Sequence, residues 1–90
     1  MKVSFTSSKH RLSLLTILYS EGYLNGGRTT AKQACLEVDH REYPWLIIRK
    51  DDKRCSFNAG ADNVEYNWPT DAEAILNVLT REEYKLNLSP

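Results

Sequence analysis

The chain has 90 residues, 41% of them hydrophobic and 27% charged, and its formal net charge at pH 7 is zero. This composition argues against a disordered segment or a coiled coil, and no stretch approaches the roughly 20 apolar residues of a transmembrane helix. The first residues lack the apolar region and cleavage site of a secretory signal. We therefore expect a single domain over residues 1–90 that is cytoplasmic, has no membrane partner and buries one core.

The charge balance and the cysteine count narrow the classes of function. Proteins dedicated to DNA binding are usually strongly basic because they neutralise phosphates, so a net charge of zero disfavours that class. Two cysteines, Cys35 and Cys55, do not make a disulfide framework. In a reducing compartment both are expected to be small buried side chains.

The N-terminal part predicts a short strand followed by a helix. Residues 2–5 alternate between polar and apolar side chains, which indicates a strand. A helix over 8–21 follows, with Ser7 or Ser8 as its N-cap and Gly22 at the position where a left-handed residue ends many helices. Its predicted apolar stripe consists of Leu12, Leu15 and Tyr19, widened by Leu14, Ile17 and Leu18.

A polar loop, "LNGGRTTAK", leads to the segment "ACLEVD". In that segment Ala34, Leu36 and Val38 alternate with more polar neighbours, and this alternation predicts a half-buried strand over 34–39.

The stretch "YPWLIIRKDDKRCSF" predicts a β-hairpin. Its first strand is apolar on both faces and follows Pro44, so it is expected in the centre of the sheet. A loop of Asp51 and Asp52 sets the register, although these residues favour a tight two-residue turn less than Asn-Gly and leave room for a wider one. The predicted pairs are Lys50 with Lys53, Arg49 with Arg54, Ile48 with Cys55 and Leu46 with Phe57, which puts the apolar members on one face.

The C-terminal part predicts a turn at "AGADN", a strand over 64–68 and a helix. Thr70 and Glu73 have the spacing of a capping box at the start of that helix. Its apolar face would be Ala72, Ile75, Leu76 and Leu79. The ending "TREEYKLNLSP" is expected to add one turn or a short strand.

These elements predict an α+β fold. We expect an antiparallel meander of three or four strands, with an N-terminal and a C-terminal helix packed on one face and the other face partly open to solvent.

Residues that could carry enzymatic or metal chemistry do not form a recognisable site. The soft ligands are Cys35, Cys55, His10 and His40, and no C-x-x-C or H-x-x-x-H pair occurs among them. Cys35 and His40 lack a third group that would orient a nucleophile pair. The "NGGR" loop has neither the Walker spacing nor the G-x-G-x-x-G pattern of phosphate-binding loops. We therefore predict a protein that is not an enzyme and has no metal and no cofactor.

The hairpin provides the best candidate for a binding surface. Its four basic residues flank two aspartates, so the local balance is +2, and three interpretations remain open: a solvated turn, an acidic protein partner, or nucleic acid. Trp45 is expected to point away from the core, and either forms an exposed apolar patch or is covered by the N-terminal strand or a loop. The predicted partner-binding residues are Tyr43, Trp45, Ile47, Arg49, Lys50, Lys53 and Arg54.

The order of features is similar to that of small accessory proteins of tailed bacteriophages. The resemblance runs from "RLSLLTILYSEGY" through "EYPWLIIRKDDKRCSF" to "WPTDAEAILNVL". It implies a non-enzymatic protein in the cytoplasm of a bacterial host that binds a host protein and inhibits or modulates a defence or metabolic machine. A homodimer would also use an apolar outer face. The alternative function is a small nucleic-acid-binding module that stacks sheet aromatics on bases.

Overall fold

The computed structural model describes residues 1–60 and 63–81, which form an α+β fold around a four-stranded sheet. The predicted turn at "AGADN" and the predicted C-terminal turn or strand each fall partly outside these residues. In chain order the elements are β1 (Lys2–Phe5), α1 (Ser8–Ser20), α2 (Ala31–Glu37), β2 (Trp45–Arg49), β3 (Arg54–Asn58), β4 (Tyr66–Trp68) and α3 (Ala72–Leu76), followed by a wider π-helical turn, Asn77–Arg81.

The sheet is mixed, so the prediction of a purely antiparallel meander is wrong. Its strand order is β3-β2-β1-β4. The β1–β2 and β2–β3 pairs are antiparallel, whereas β4 runs parallel to β1, with Trp68 beside Phe5. The physical reason is that β4 pairs with β1 and not with β3, the strand before it in the chain, so no tight hairpin forces β4 to be antiparallel to its neighbour.

The predicted hairpin register is confirmed for three of its four pairs, whereas Lys50 and Lys53 lie in the loop and are not a strand pair. Ile48 pairs with Cys55, Leu46 with Phe57 and Arg49 with Arg54, and β2 lies in the interior of the sheet. The turn is wider than two residues, because the last strand pair is Arg49 with Arg54 and residues 50–53 form the loop.

The first helix and both of its predicted caps are confirmed. The Ser7 hydroxyl accepts the His10 N–H at 3.2 Å. Gly22 has a φ of +90°, and the Tyr23 N–H beyond it bonds the Leu18 carbonyl at 3.0 Å, which is the Schellman pattern. The buried stripe differs from the prediction at one position, because Arg11 is 1% exposed whereas its neighbour Leu12 is 37% exposed.

The predicted strand over 34–39 is wrong, because most of that segment belongs to α2. The Thr30 hydroxyl accepts the Gln33 N–H at 3.1 Å and starts the helix. In helical geometry Ala34 faces the core and is fully buried, whereas Leu36 points outward and is 79% exposed.

The predicted capping box at Thr70 is also wrong. The third helix begins after Asp71, and no side chain caps its first amides. Instead, the Asp71 carboxylate accepts the Asn67 N–H at 2.8 Å and ties the helix start to β4. The predicted apolar face of this helix is confirmed. Ile75 and Leu79 are buried, and Ala72 and Leu76 are partly buried against the core.

The core joins one face of the sheet to side chains from the helices. Because side chains alternate along a strand, every second residue belongs to this face. The core residues from the strands are Val3, Phe5, Leu46, Ile48, Cys55 and Trp68, and those from the helices and the following turn are Leu14, Leu15, Leu18, Ala31, Ala34, Ile75 and Leu79.

Candidate functional site

The opposite positions of the strands form a surface that we call the outer face. Residues directly opposite each other in a sheet share a face, so the register assigns them without ambiguity. Apart from one tryptophan and one isoleucine the face is polar. It consists of Lys2, Ser4, Trp45, Ile47, Arg49, Arg54, Ser56, Asn58 and Asn67.

Trp45 lies on the outer face as predicted, but its ring is covered. The side chain is only 4% exposed. Its Nε1 donates to the Gly60 carbonyl at 3.3 Å, and the Lys2 ammonium lies 5.8 Å from the ring centroid. The N-terminal strand and the loop after β3 therefore cover this tryptophan, and it offers no free ring surface.

The other two apolar candidates belong to different surfaces. Ile47 is half-buried on the outer face, between Lys2 of β1 and Ser56 of β3. Tyr43 precedes β2, is 40% exposed and lines a cleft at the edge of β3. Tyr43 therefore lies apart from Ile47, and Trp45, although it shares the outer face with Ile47, is covered, so the three side chains do not form one exposed apolar patch.

Two of the four hairpin cations are attached to neighbouring elements. The Lys53 ammonium donates to the carbonyl of Glu21, the C-cap residue of α1, at 3.0 Å. A cation at this position complements the negative end of the helix dipole. The Lys50 ammonium donates to the Val78 carbonyl at 2.9 Å. Both lysines therefore hold the hairpin against the helical parts of the molecule.

The two arginines remain on the outer face. Arg49 is paired with Asp52, with 3.0 Å between Nη2 and Oδ2, and both side chains are about half exposed. Arg54 lies directly opposite Arg49, is exposed, and makes no ion pair with any described residue. The prediction that the aspartates compensate the tip is therefore confirmed for Arg49, while Arg54 keeps an unmatched charge.

Sequence reasoning missed the buried guanidinium of Arg11. Its Nη2 donates to the Cys35 carbonyl at 3.0 Å and also to the Val38 carbonyl, and the guanidinium lies 5.1 Å from the centroid of the Phe57 ring. The sequence does contain a signal for this burial. Arg11 precedes Leu14, Leu15 and Leu18 by three, four and seven positions, which is the spacing of residues on one face of a helix. A charge in that stripe predicts a buried polar contact.

Asp39 and Cys55 have strongly shifted pKa values with evident physical causes. Hydrogen bonds from Arg41 lower the pKa of Asp39 to about 2. Burial raises the pKa of the Cys55 thiol to about 11, so this thiol stays protonated at neutral pH and is a poor nucleophile.

Within residues 1–60 and 63–81, no group of three or more His, Cys, Asp or Glu side chains is placed to hold a metal ion. None of the described helices is long and apolar enough to cross a membrane. Comparison with models of protein families, with curated proteins and with solved structures found no match.

Proposed function

We propose that the protein is a non-enzymatic interaction module that binds an acidic site on another protein through its outer face. The partner is a bacterial host protein of the defence or metabolic machinery, which the module inhibits or modulates. The resemblance to phage accessory proteins supplies this choice of partner, and it is an analogy of architecture. The chemistry of the outer face independently supports the binding of an acidic site on another protein.

The observation that carries the proposal is the pair of arginines on adjacent strands. Like charges directly opposite in a sheet destabilise it by a few tenths of a kcal/mol. Asp52 offsets the charge of Arg49 alone, so Arg54 keeps its cost without a compensating contact among the described residues. An acidic group on a partner would supply that contact, and arginine is enriched among residues that dominate interface energies.

Ile47 adds an apolar element to the same surface. It is half-buried on the strand of Arg49, two residues before it. The proposal takes the helices to lie on the core side of the sheet, which leaves Ile47 and the two arginines accessible. Protein interfaces commonly have an apolar centre with polar residues around it, and one aliphatic side chain beside two arginines fits this arrangement on a small scale.

The burial of Trp45 weighs against the nucleic-acid alternative. Stacking on bases requires an exposed aromatic ring, and the ring of Trp45 is covered by Lys2 and the backbone at Gly60. The zero net charge points the same way. A homodimer with its two-fold axis at Arg49 and Arg54 is disfavoured as well, because this axis would place the arginines against their own copies.

The proposal is tested by capture of partners from a bacterial lysate on the tagged protein. The lysate is divided, and one half is treated with nuclease before mass spectrometry of the bound material. We expect one protein at near-stoichiometric amounts in both halves, and its loss when Arg54→Glu replaces the wild type. Recovery of nucleic acid in the untreated half alone, with binding to single-stranded DNA or RNA that falls steeply with salt, would replace the proposal by the alternative.

A further inference from the structure

The edge of β3 opposite β2 is only partly paired. At one end of this edge the Leu24 N–H donates to the Lys53 carbonyl at 2.9 Å, and the Cys55 N–H donates to the Leu24 carbonyl at 2.9 Å. The chain then turns away through Gly26, which has a φ of +59°, and the Arg28 N–H bonds the Asn25 carbonyl. The pairing therefore stops after one residue of what would be a fifth strand.

The backbone beyond that point has unused hydrogen-bonding groups. The Cys55 N–H points outward, away from β2, and in a strand the residue two positions further has the same orientation. The N–H and C=O of Phe57 and the C=O of Cys55 thus face the open edge. No described residue bonds these groups, and an edge of this kind is a template for another strand.

These groups line a cleft of about 630 Å³, a volume typical of ligand sites. One end is formed by Asn25 and Gly26, the wall opposite β3 by the residues that end α2, and the other end by Glu42 and Tyr43. Asn25 is 3% exposed and its Nδ2 donor has no partner among the described residues. A buried amide without an acceptor is costly, and a backbone carbonyl entering this end of the cleft would satisfy it.

The charges around the cleft are predominantly negative. Arg28 is the basic side chain of the lining, and its Nε lies 3.7 Å from a carboxylate oxygen of Glu37. Asp39 is bonded by Arg41. Glu42 is exposed and makes no ion pair with a described residue, and the nearby Arg41 is already bonded to Asp39, so the carboxylate at the end of the cleft beside Tyr43 is open to a basic group.

We propose that this cleft binds an extended peptide segment of another protein, which adds a strand to the edge of β3 and places a lysine or arginine against Glu42. The backbone of the segment pairs with Cys55 and Phe57, a mode of recognition in which main-chain bonds supply affinity and side-chain contacts supply specificity. This site lies along the edge of β3 and shares only Ser56 with the outer face, and the inference does not depend on the proposed function.

The test is selection from a display library of randomised hexapeptides on the immobilised full-length protein. The enriched sequences are then synthesised with blocked ends, together with versions N-methylated at alternate residues, which lack the donors that strand pairing needs. Dissociation constants are measured by fluorescence anisotropy for the wild type and for Glu42→Lys. Glu73→Lys is the matched control, because Glu73 is an exposed glutamate on α3 outside the cleft.

We expect enrichment of sequences in which a lysine or arginine occurs at one position among β-branched or aromatic residues. Glu42→Lys should weaken the binding of these peptides about fivefold, the upper range for one exposed ion pair, and Glu73→Lys should leave it unchanged. N-methylation should abolish binding, and hydrogen exchange at the Phe57 amide should slow in the complex. Absence of enrichment over the bare matrix, equal affinity for Glu42→Lys, or unchanged Phe57 exchange would overturn the inference.

Discussion

Arg11 is a buried guanidinium in the core that forms no ion pair with a carboxylate of the described residues. Its Nη2 donates two hydrogen bonds to carbonyls at the end of α2, where the helix dipole is negative, and the Phe57 ring faces the guanidinium. These contacts link α1, α2 and β3 through one side chain. They satisfy one nitrogen of a guanidinium that is 1% exposed, whereas Nε and Nη1 have no hydrogen-bond partner among the described residues.

Replacing Arg11 tests this structural role. Arg11→Ala leaves a cavity and two carbonyls without donors, and we expect a loss of about 3–5 kcal/mol in the free energy of unfolding. Lys9→Ala, an exposed change on the same helix, should alter it by less than about 0.5 kcal/mol. Urea denaturation measures both, and a loss below about 1 kcal/mol for Arg11→Ala would contradict the role assigned to its contacts.

The Asp39–Arg41 pair predicts a pH dependence. Since the pKa of Asp39 is about 2 in the folded protein and about 3.9 in an unfolded chain, the pair stabilises the fold above the unfolded pKa, and this contribution disappears as the pH falls towards 2. In Arg41→Gln the pKa of Asp39 should rise towards its ordinary value, because the hydrogen-bonding guanidinium is lost. A carboxyl-carbon NMR titration of both proteins measures this, and equal pKa values would show that Arg41 is not the cause.

At the scale of elements, the end of α1 depends on the backbone conformation of Gly22. Its φ of +90° is unfavourable for residues with a side chain, and no atom lies within 4 Å of the position of an added Cβ. Any cost of a substitution therefore arises from the backbone and not from a steric clash.

Gly22→Ala should destabilise the protein by about 1 kcal/mol, because alanine disfavours the left-handed conformation. Gly27→Ala is a matched control, since its Cβ also meets open space and its φ lies outside the left-handed region. That substitution should be neutral or stabilise by up to about 1 kcal/mol through the unfolded state. Thermal unfolding of the two variants distinguishes them, and equal effects would refute the conformational explanation.

Local patterns predicted some elements and not others. The β2–β3 register followed from alternation on both sides of one turn, which is local information. "ACLEVD" alternates like a strand, yet Ala31, Ala34, Cys35 and Val38 also have helical spacing, and Thr30 with Gln33 has the spacing of a capping box. The tertiary packing of Ala34 decided between the two, and the capping signal was the feature that could have identified the helix.

The parallel pairing of β4 with β1 had no local signal. The alternation of Tyr66, Asn67 and Trp68 is the same whether the neighbouring strand is parallel or antiparallel. Whether β4 runs parallel or antiparallel to β1 depends on the path by which the chain passes from β3 to the edge of β1 that β2 leaves free. That is a property of the assembled sheet and not of any segment.

At the scale of the whole molecule, the candidate site was predictable in position but not in exposure. Alternation correctly placed Trp45, Ile47, Arg49 and Arg54 on one face of the sheet. The covering of Trp45 depends on Lys2 and on the backbone at Gly60, two segments that the hairpin sequence does not contain. The anchoring of Lys50 and Lys53 to helical carbonyls likewise required the packed structure.

A net charge of zero therefore conceals local differences between surfaces. Among the described residues, Arg54 on the outer face and Glu42 in the cleft at the edge of β3 are exposed charges of opposite sign that form no ion pair. Surfaces of opposite charge favour different partners, because complementary potentials guide association and like charges oppose it. The two proposed sites can consequently be tested separately by changing one charge at a time.

The central claim is that the outer face binds an acidic protein site, and it is tested most directly by the affinity of a charge-reversed variant for the captured partner. We predict that Arg54→Glu weakens binding about tenfold or more, while its melting temperature stays within about 3 °C of the wild type. Lys32→Glu, a reversal at an exposed lysine of α2, should bind like the wild type. Unchanged affinity in Arg54→Glu, or equal weakening in both variants, would contradict the claim.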